Sequence, residues 1–140
     1  MSLNHEANKF YNIDMEVVVE VEKELNITFP EMLKAFYRNY GYGFIHSKNG
    51  NINRIMDPNS VKDFRNREGD FEHYPDIEIY DIYEVEKLIF FEANESTMIS
   101  IGFGEINKNQ IFCYDTLIAN DLDEFITKLI ADDTYYYTML

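Results

Sequence analysis

The stretch "KLIFFEA", Lys87 to Ala93, places Leu88, Ile89, Phe90 and Phe91 in direct succession. Four bulky apolar residues in a row, two of them aromatic, belong in a buried strand. "STMISIGF" follows, alternating Ile99, Ile101 and Phe103 against Met98, Ser100 and Gly102, and "QIFCYDT" comes after the turn residues "GEINKN". Three short strands joined by two turns form an antiparallel meander. Such a sheet needs a second layer, and helical stripes at both ends of the chain are there to supply it.

Near the N-terminus, "DMEVVVEVEKELN" predicts a helix with Asp14 as N-cap, Glu16 and Glu20 toward its positive end, and a stripe of Val18, Val21 and Leu25. Pro30 suits the first position of a second helix, "PEMLKAFYRNYG", in which Leu33, Phe36, Tyr37 and Tyr40 share a face and Gly41 is the stop. "GYGFIHSKNGNINRIM" holds a Lys-Asn-Gly-Asn turn between two apolar pieces and predicts a hairpin. "DPNSVKDFRN" reads as a short helix capped by Asp57 with Pro58 in its first turn. "IEIYDI" alternates and predicts a short strand toward a sheet edge, with Ile77 and Ile79 inward and Glu78 and Tyr80 outward. "NDLDEFITKLIADD" closes the chain as a helix with Leu122, Phe125, Ile126 and Leu129 on one stripe behind the cap candidate Asn120. The economical sum is one α+β domain over residues 14–140, a mainly antiparallel sheet packed by N-terminal helices and a C-terminal helix. Residues 1–13 form a polar lead-in whose first residues resemble a cloning scar.

At 140 residues, 46% hydrophobic and 16% aromatic, the chain can bury a proper core. Asp and Glu number 26 against 12 Lys and Arg, for a formal charge of −14. That balance repels phosphate backbones and argues against direct nucleic-acid binding. It suits a cationic protein partner, whose association a complementary field accelerates. A single cysteine, Cys113, allows no internal disulfide, and "MSLNHEANKF" lacks the charged region and apolar run of a secretory signal. Both point to a cytoplasmic protein, and no apolar run approaches the length of a membrane span.

Chemistry is poorly supplied. His5, His46 and His73 have no partner at a spacing that fixes geometry, and Cys113 lies in an apolar strand with no cation to activate it. Neither a Cys pair, nor close histidines, nor an EF-hand loop is present, and Asp76, Glu78 and Asp81 are at most a weak site for a divalent ion. "GYG" at Gly41 and "GFG" at Gly102 lack the strand, glycine-rich turn and helix of a phosphate loop. The expectation is a protein with no catalytic residues, no cofactor and no metal.

"ELNITFPEMLKAFYRNYGYGFI", Glu24 to Ile45, resembles the SUKH superfamily, through Phe29-Pro30, Leu33, Phe36, Tyr37, Tyr40 and Gly41. "IEIYDIYEVEKLIFFEANESTMISIGFGEINKNQIFCYD" is similar to that family's strands and "TLIANDLDEFITKLI" to its closing helix, so the resemblance covers residues 14 to 130. Many members carry Asn-Gly-Gly after the second helix and a Trp nearby; this chain has Tyr40-Gly41-Tyr42-Gly43 and no Trp. Bacterial members are mostly immunity proteins, and the likeness is nearest to Firmicutes antitoxins encoded beside LXG-type toxins, which are commonly ribonucleases. Other members act as regulatory adaptors or protein-binding modules, which is the alternative. The resemblance implies a cognate toxin as partner.

It also suggests a role for "GDFEHYPDIEIYDIYEVE", Gly69 to Glu86, which has seven carboxylates, no Lys or Arg, and four aromatics. Such a run is ordinarily a solvated face. In an inhibitor of a nuclease it would instead meet the cations that hold phosphates. The candidate toxin-binding residues are Asp70, Glu72, Tyr74, Asp76, Glu78, Tyr80, Asp81, Tyr83, Glu84 and Glu86. The terminal "DDTYYYTML" is a second acid and aromatic patch and a weaker candidate.

Overall fold

A computed structural model describes residue 3, residues 5–94 and residues 96–140. Among them are seven strands in one antiparallel sheet whose spatial order is the chain order, four α-helices and three short 3-10 helices. The strands are β1 (Lys9–Tyr11), β2 (Tyr42–Phe44), β3 (Arg54–Ile55), β4 (Lys87–Ala93), β5 (Thr97–Gly102), β6 (Ile111–Cys113) and β7 (Thr116–Ala119). The helices are α1 (Met15–Leu25), α2 (Glu31–Asn39), α3 (Pro58–Asn66) and α4 (Leu122–Ala131). This is the expected α+β domain with an antiparallel sheet.

The caps follow local chemistry. Asp14 accepts from the Glu16 N–H, Asp57 from the Ser60 N–H, and Asp121 from the Glu124 N–H, each satisfying a donor that the first helical turn leaves free. Two caps sit one residue from their expected positions. Pro30 is the N-cap of α2 rather than its first residue, and Asp121 rather than Asn120 caps α4.

The sheet is densest at β4 and β5, which pair from Lys87↔Gly102 to Ala93↔Thr97. A bulge between Ile89 and Phe91 lets Phe90 and Phe91 both be fully buried, and the Phe125 ring of α4 meets both edge-on. The meander has a fourth member that the sequence pattern hides. After Cys113 the chain turns through Tyr114, whose φ is +57°, and Thr116–Ala119 returns as β7.

The lead-in also joins the sheet. Met1 and Ser2 of the expected scar lie outside the described residues, but Leu3 is buried and Lys9–Tyr11 pairs with β2 at Lys9↔Phe44 and Tyr11↔Tyr42. The polarity of this segment conceals the strand because Lys9 and Tyr11 face solvent while Phe10 packs on Phe36 and Tyr40.

The C-terminal segment "DDTYYYTML" is anchored at Asp133, Tyr135 and Tyr136, while Asp132 and residues 137–140 are exposed. Asp133 and Tyr136 are fully buried, and the Tyr135 hydroxyl donates to the Ile118 carbonyl of β7 at 2.8 Å. The Asp133 carboxylate accepts from Ser47, from Asn51 at 2.8 Å and from Asn53 at 3.1 Å, all in the β2–β3 connection. Burial alone would raise its pKa, but those three donors outweigh it and hold the carboxyl below the usual Asp range.

Candidate protein-binding surface

The acidic stretch is not a strand. Its core, Ile77–Tyr83, is a 3-10 helix, preceded by a shorter one at Gly69–Phe71. A 3-10 helix repeats every three residues, so side chains at i and i+3 lie above one another. Read in threes, "IEIYDIYEV" from Ile77 to Val85 is Ile-Glu-Ile, Tyr-Asp-Ile, Tyr-Glu-Val. First positions turn inward: Ile77 and Tyr80 are buried and Tyr83 is half-buried. Second positions are all carboxylates. Third positions, Ile79, Ile82 and Val85, are 48%, 71% and 69% exposed.

The expected alternation therefore fails residue by residue. Ile79 faces outward, and Tyr80, placed outside by a period of two, is 4% exposed. The triplet repeat was the available sequence signal; over six residues it mimics alternation because the apolar Ile77 and Ile79 flank Glu78.

An aromatic cluster anchors the segment. Phe64 of α3 lies edge-on to Phe71, Tyr74 and Tyr80, while Tyr114 stacks on Tyr80 and meets Tyr83 edge-on. The Tyr80 hydroxyl accepts from the Met98 N–H at the end of β5, and burial drives its pKa far up. Tyr80 is thus a core residue, removed from the set that a partner can reach.

Arg67 makes the second attachment. It caps α3 in the left-handed region at φ +57°, and its guanidinium bonds Asp81 at 2.7 Å and Glu84 at 2.9 and 3.2 Å. Burial opposes the Arg67 charge, but the bonds to Glu84 and Asp81 prevail and raise its pKa. For Glu84, 8% exposed, burial dominates and pushes the carboxyl up despite the guanidinium. Arg65 adds a bond to the Lys87 carbonyl at 2.9 Å and covers the Phe103 ring. Glu84 is therefore a structural carboxylate and not a contact residue, and Asp81 is shared with Arg67. Arg67→Gln should lower stability by about 2 kcal/mol in denaturant unfolding at pH 7, because it strands the buried Glu84 charge. An unchanged midpoint would show that this pair does not hold the segment.

What remains free is smaller than the sequence suggests. Asp70, Glu72, Asp76, Glu78 and Glu86 are exposed, and among the described residues none of them forms an ion pair. Tyr74 and Tyr83 are half-buried, their rings engaged with the cluster.

The β5–β6 turn extends this surface, and no local pattern signals that it does. The Phe103 N–H donates to the Glu86 carbonyl at 2.9 Å and the Asn107 amide to the same oxygen at 3.2 Å. Asn107 also accepts from the Gly104 N–H at 2.9 Å. The turn so fixed carries Ile106, 95% exposed, beside Glu105. A shallow concavity of about 420 Å³ lined by Glu86, Phe103, Gly104, Glu105 and Ile106 joins the two segments.

The residues considered for chemistry lie elsewhere or apart. His5 and His46 stack at 4.3 Å on the surface and His73 is exposed. Burial pushes the Cys113 thiol up to about 11, so it is a poor nucleophile at neutral pH. Among the described residues no group of three or more His, Cys, Asp or Glu converges on a metal-sized site, and no helix is long and apolar enough to cross a membrane.

Fold and surface define a helix-backed antiparallel meander that displays a rigid acidic and aliphatic face. The chain belongs to the SMI1 / KNR4 family (SUKH-1), which it matches over residues 12–128, close to the range the resemblance covered. It is 50% identical over 137 residues to the "Immunity protein YxxD" of Bacillus subtilis (strain 168), spanning 98% of this chain and 93% of that relative. No solved structure matches it.

Proposed function

We propose that this chain is an immunity protein, an antitoxin that binds and neutralises a cognate bacterial toxin in the cytoplasm. The toxin is a nuclease, most simply a ribonuclease, and the chain acts by covering its cationic active face without chemistry of its own. The observation that carries the reading is the 50% identity, across 98% of the chain, to a protein named for immunity. The surface supports it: five carboxylates without a cation partner among the described residues lie on one short segment of a chain charged −14. A nuclease must present Lys and Arg to hold phosphates, and carboxylates can occupy those cations in their place.

Exposed carboxylates are each worth about 1 kcal/mol or less at equilibrium and act chiefly on the rate of encounter. The pair to change is Glu72 and Glu78, since Asp81 is engaged with Arg67. Replacing both by Lys should slow association about tenfold or more at low salt, converge on wild type at high salt, and leave thermal unfolding unchanged. Equal association rates at low salt would remove the acidic face from the mechanism.

The test is a titration against the toxin domain encoded beside the gene, at low and high salt, with nuclease activity followed in parallel. Tight, salt-weakened binding with loss of activity supports the proposal. No binding at either salt would overturn it and favour an adaptor for another protein. Inhibition of a toxin that does not cut nucleic acid would keep the immunity role and discard the nuclease.

A further inference from the structure

Ile79, Ile82, Val85 and Ile106 need an explanation that the charge does not provide. Four β-branched aliphatics exposed between 48% and 95% are costly to leave in water, and exposed apolar side chains gathered on two segments fastened to each other mark an interaction site. They are also held still. Ile79 and Ile82 stack one turn apart on a 3-10 helix pinned from beneath by Tyr80 and from the side by Arg67. Val85 follows at its end, and Ile106 rides on a turn fastened to the Glu86 carbonyl by the Phe103 N–H and the Asn107 amide. Preorganised aliphatics lose little conformational entropy when covered.

We infer that these four side chains form the central ridge of the toxin-binding interface, and that the partner presents an apolar recess rimmed by Lys or Arg. The inference rests on the immunity reading and specifies the partner surface it requires. Charge selects this occupant: Glu78, Glu86 and Glu105, exposed and without a cation partner among the described residues, are the chain neighbours of Ile79, Val85 and Ile106. A second copy of this chain would bring like charge against like charge, whereas a cationic rim is complementary. The arrangement is that of a protein interface in general, a dry centre inside a polar rim. It divides the work, the rim governing encounter and the ridge the lifetime of the complex.

The experiment compares wild type, Ile82→Ala, Ile106→Ser and the double variant in binding kinetics with the purified toxin domain at two salt concentrations. All four positions are exposed, so thermal unfolding should be the same for each protein, and a circular dichroism melt checks that. The double variant should dissociate about 30-fold faster or more, with the association rate and its salt dependence within about twofold of wild type. Dissociation unchanged in the double variant, with wild type still binding tightly, would overturn the ridge while leaving the immunity reading intact. Failure of wild type to bind would overturn both. Sedimentation of the free chain reads the remaining occupant: a monomer agrees with the inference, and a dimer abolished by Ile82→Ala would overturn it in favour of self-association.

Discussion

Asp133→Ala is expected to lower stability at pH 7 by about 3 kcal/mol, roughly 10 °C in the unfolding midpoint. The carboxylate has no solvent exposure and is the common acceptor for Ser47, Asn51 and Asn53. Removing it leaves the Ser47 hydroxyl without its acceptor and the Asn53 amide with the Asn51 carbonyl alone, both residues being fully buried. Those donors belong to the β2–β3 connection, while Asp133 follows α4, so the cluster ties the two ends of the fold together. The Asn94 amide extends the tie by donating to the Asp133 carbonyl and the Tyr136 hydroxyl, each at 3.1 Å.

The pH dependence separates loss of charge from loss of packing. The folded Asp133 carboxyl titrates below its unfolded value, so its contribution is complete above the unfolded pKa, about 3.9, and is lost as pH falls through the folded one. Asp133→Asn, which keeps the shape, should therefore be destabilised at pH 7 and approach wild type below about pH 4. Melts of both variants at pH 7 and pH 3 check this. A midpoint for Asp133→Ala equal to wild type at pH 7 would mean that the buried cluster contributes nothing.

The second large effect is expected at Gly43. Its φ is +142°, and a Cβ there would lie 1.9 Å from the Lys9 carbonyl oxygen of β1. Gly41, two residues earlier, has φ +90° and the same 1.9 Å approach to the Tyr11 carbonyl. The spacing in Tyr40-Gly41-Tyr42-Gly43 is thus the footprint of the β1 backbone. Gly43→Ala cannot keep both β1 and its own backbone in place, so β1 should leave the sheet, at a cost of about 2–4 kcal/mol. Hydrogen exchange should show protection lost over residues 9–11 while β4 and β5 remain protected. Gly50→Ala is the control, since φ there is +76° but no atom lies within 4 Å of the added carbon. It should cost about 1 kcal/mol, the strain alone. Retained protection at Lys9–Tyr11 in Gly43→Ala would show that the strand tolerates the methyl group.

Much of the architecture was legible in the chain. Asp14 and Asp57 as caps, the stripes of α1, α2 and α4, and the β4–β5–β6 run follow from local patterns, though the strand expected over "QIFCYDT" ends at Cys113 and Thr116 already belongs to β7. Three departures have separate physical reasons. Lys9–Tyr11 is a strand because distant glycines admit its backbone, and Thr116–Ala119 because the two-residue turn at Tyr114 and Asp115 leaves little punctuation. The acidic segment repeats in threes where alternation predicts twos, and that difference turns Ile79 outward and Tyr80 inward.

For the surface, sequence supplied the concentration of charge and nothing about its disposition. By itself the sequence determined an α+β meander, membership of its family and a strongly acidic molecule, because hydrophobic periodicity, capping and net charge are sums over neighbouring residues. Only the tertiary structure decided which acids are free, that Tyr80 is core, and that the turn carrying Ile106 is fastened to Glu86. Those outcomes turn on groups brought from elsewhere: Arg67 reaches 17 residues along the chain to engage Glu84, and Asn107 reaches 21 residues back to the Glu86 carbonyl. Whether a carboxylate is spent within the molecule depends on which cation the fold places beside it, and no local pattern carries that information.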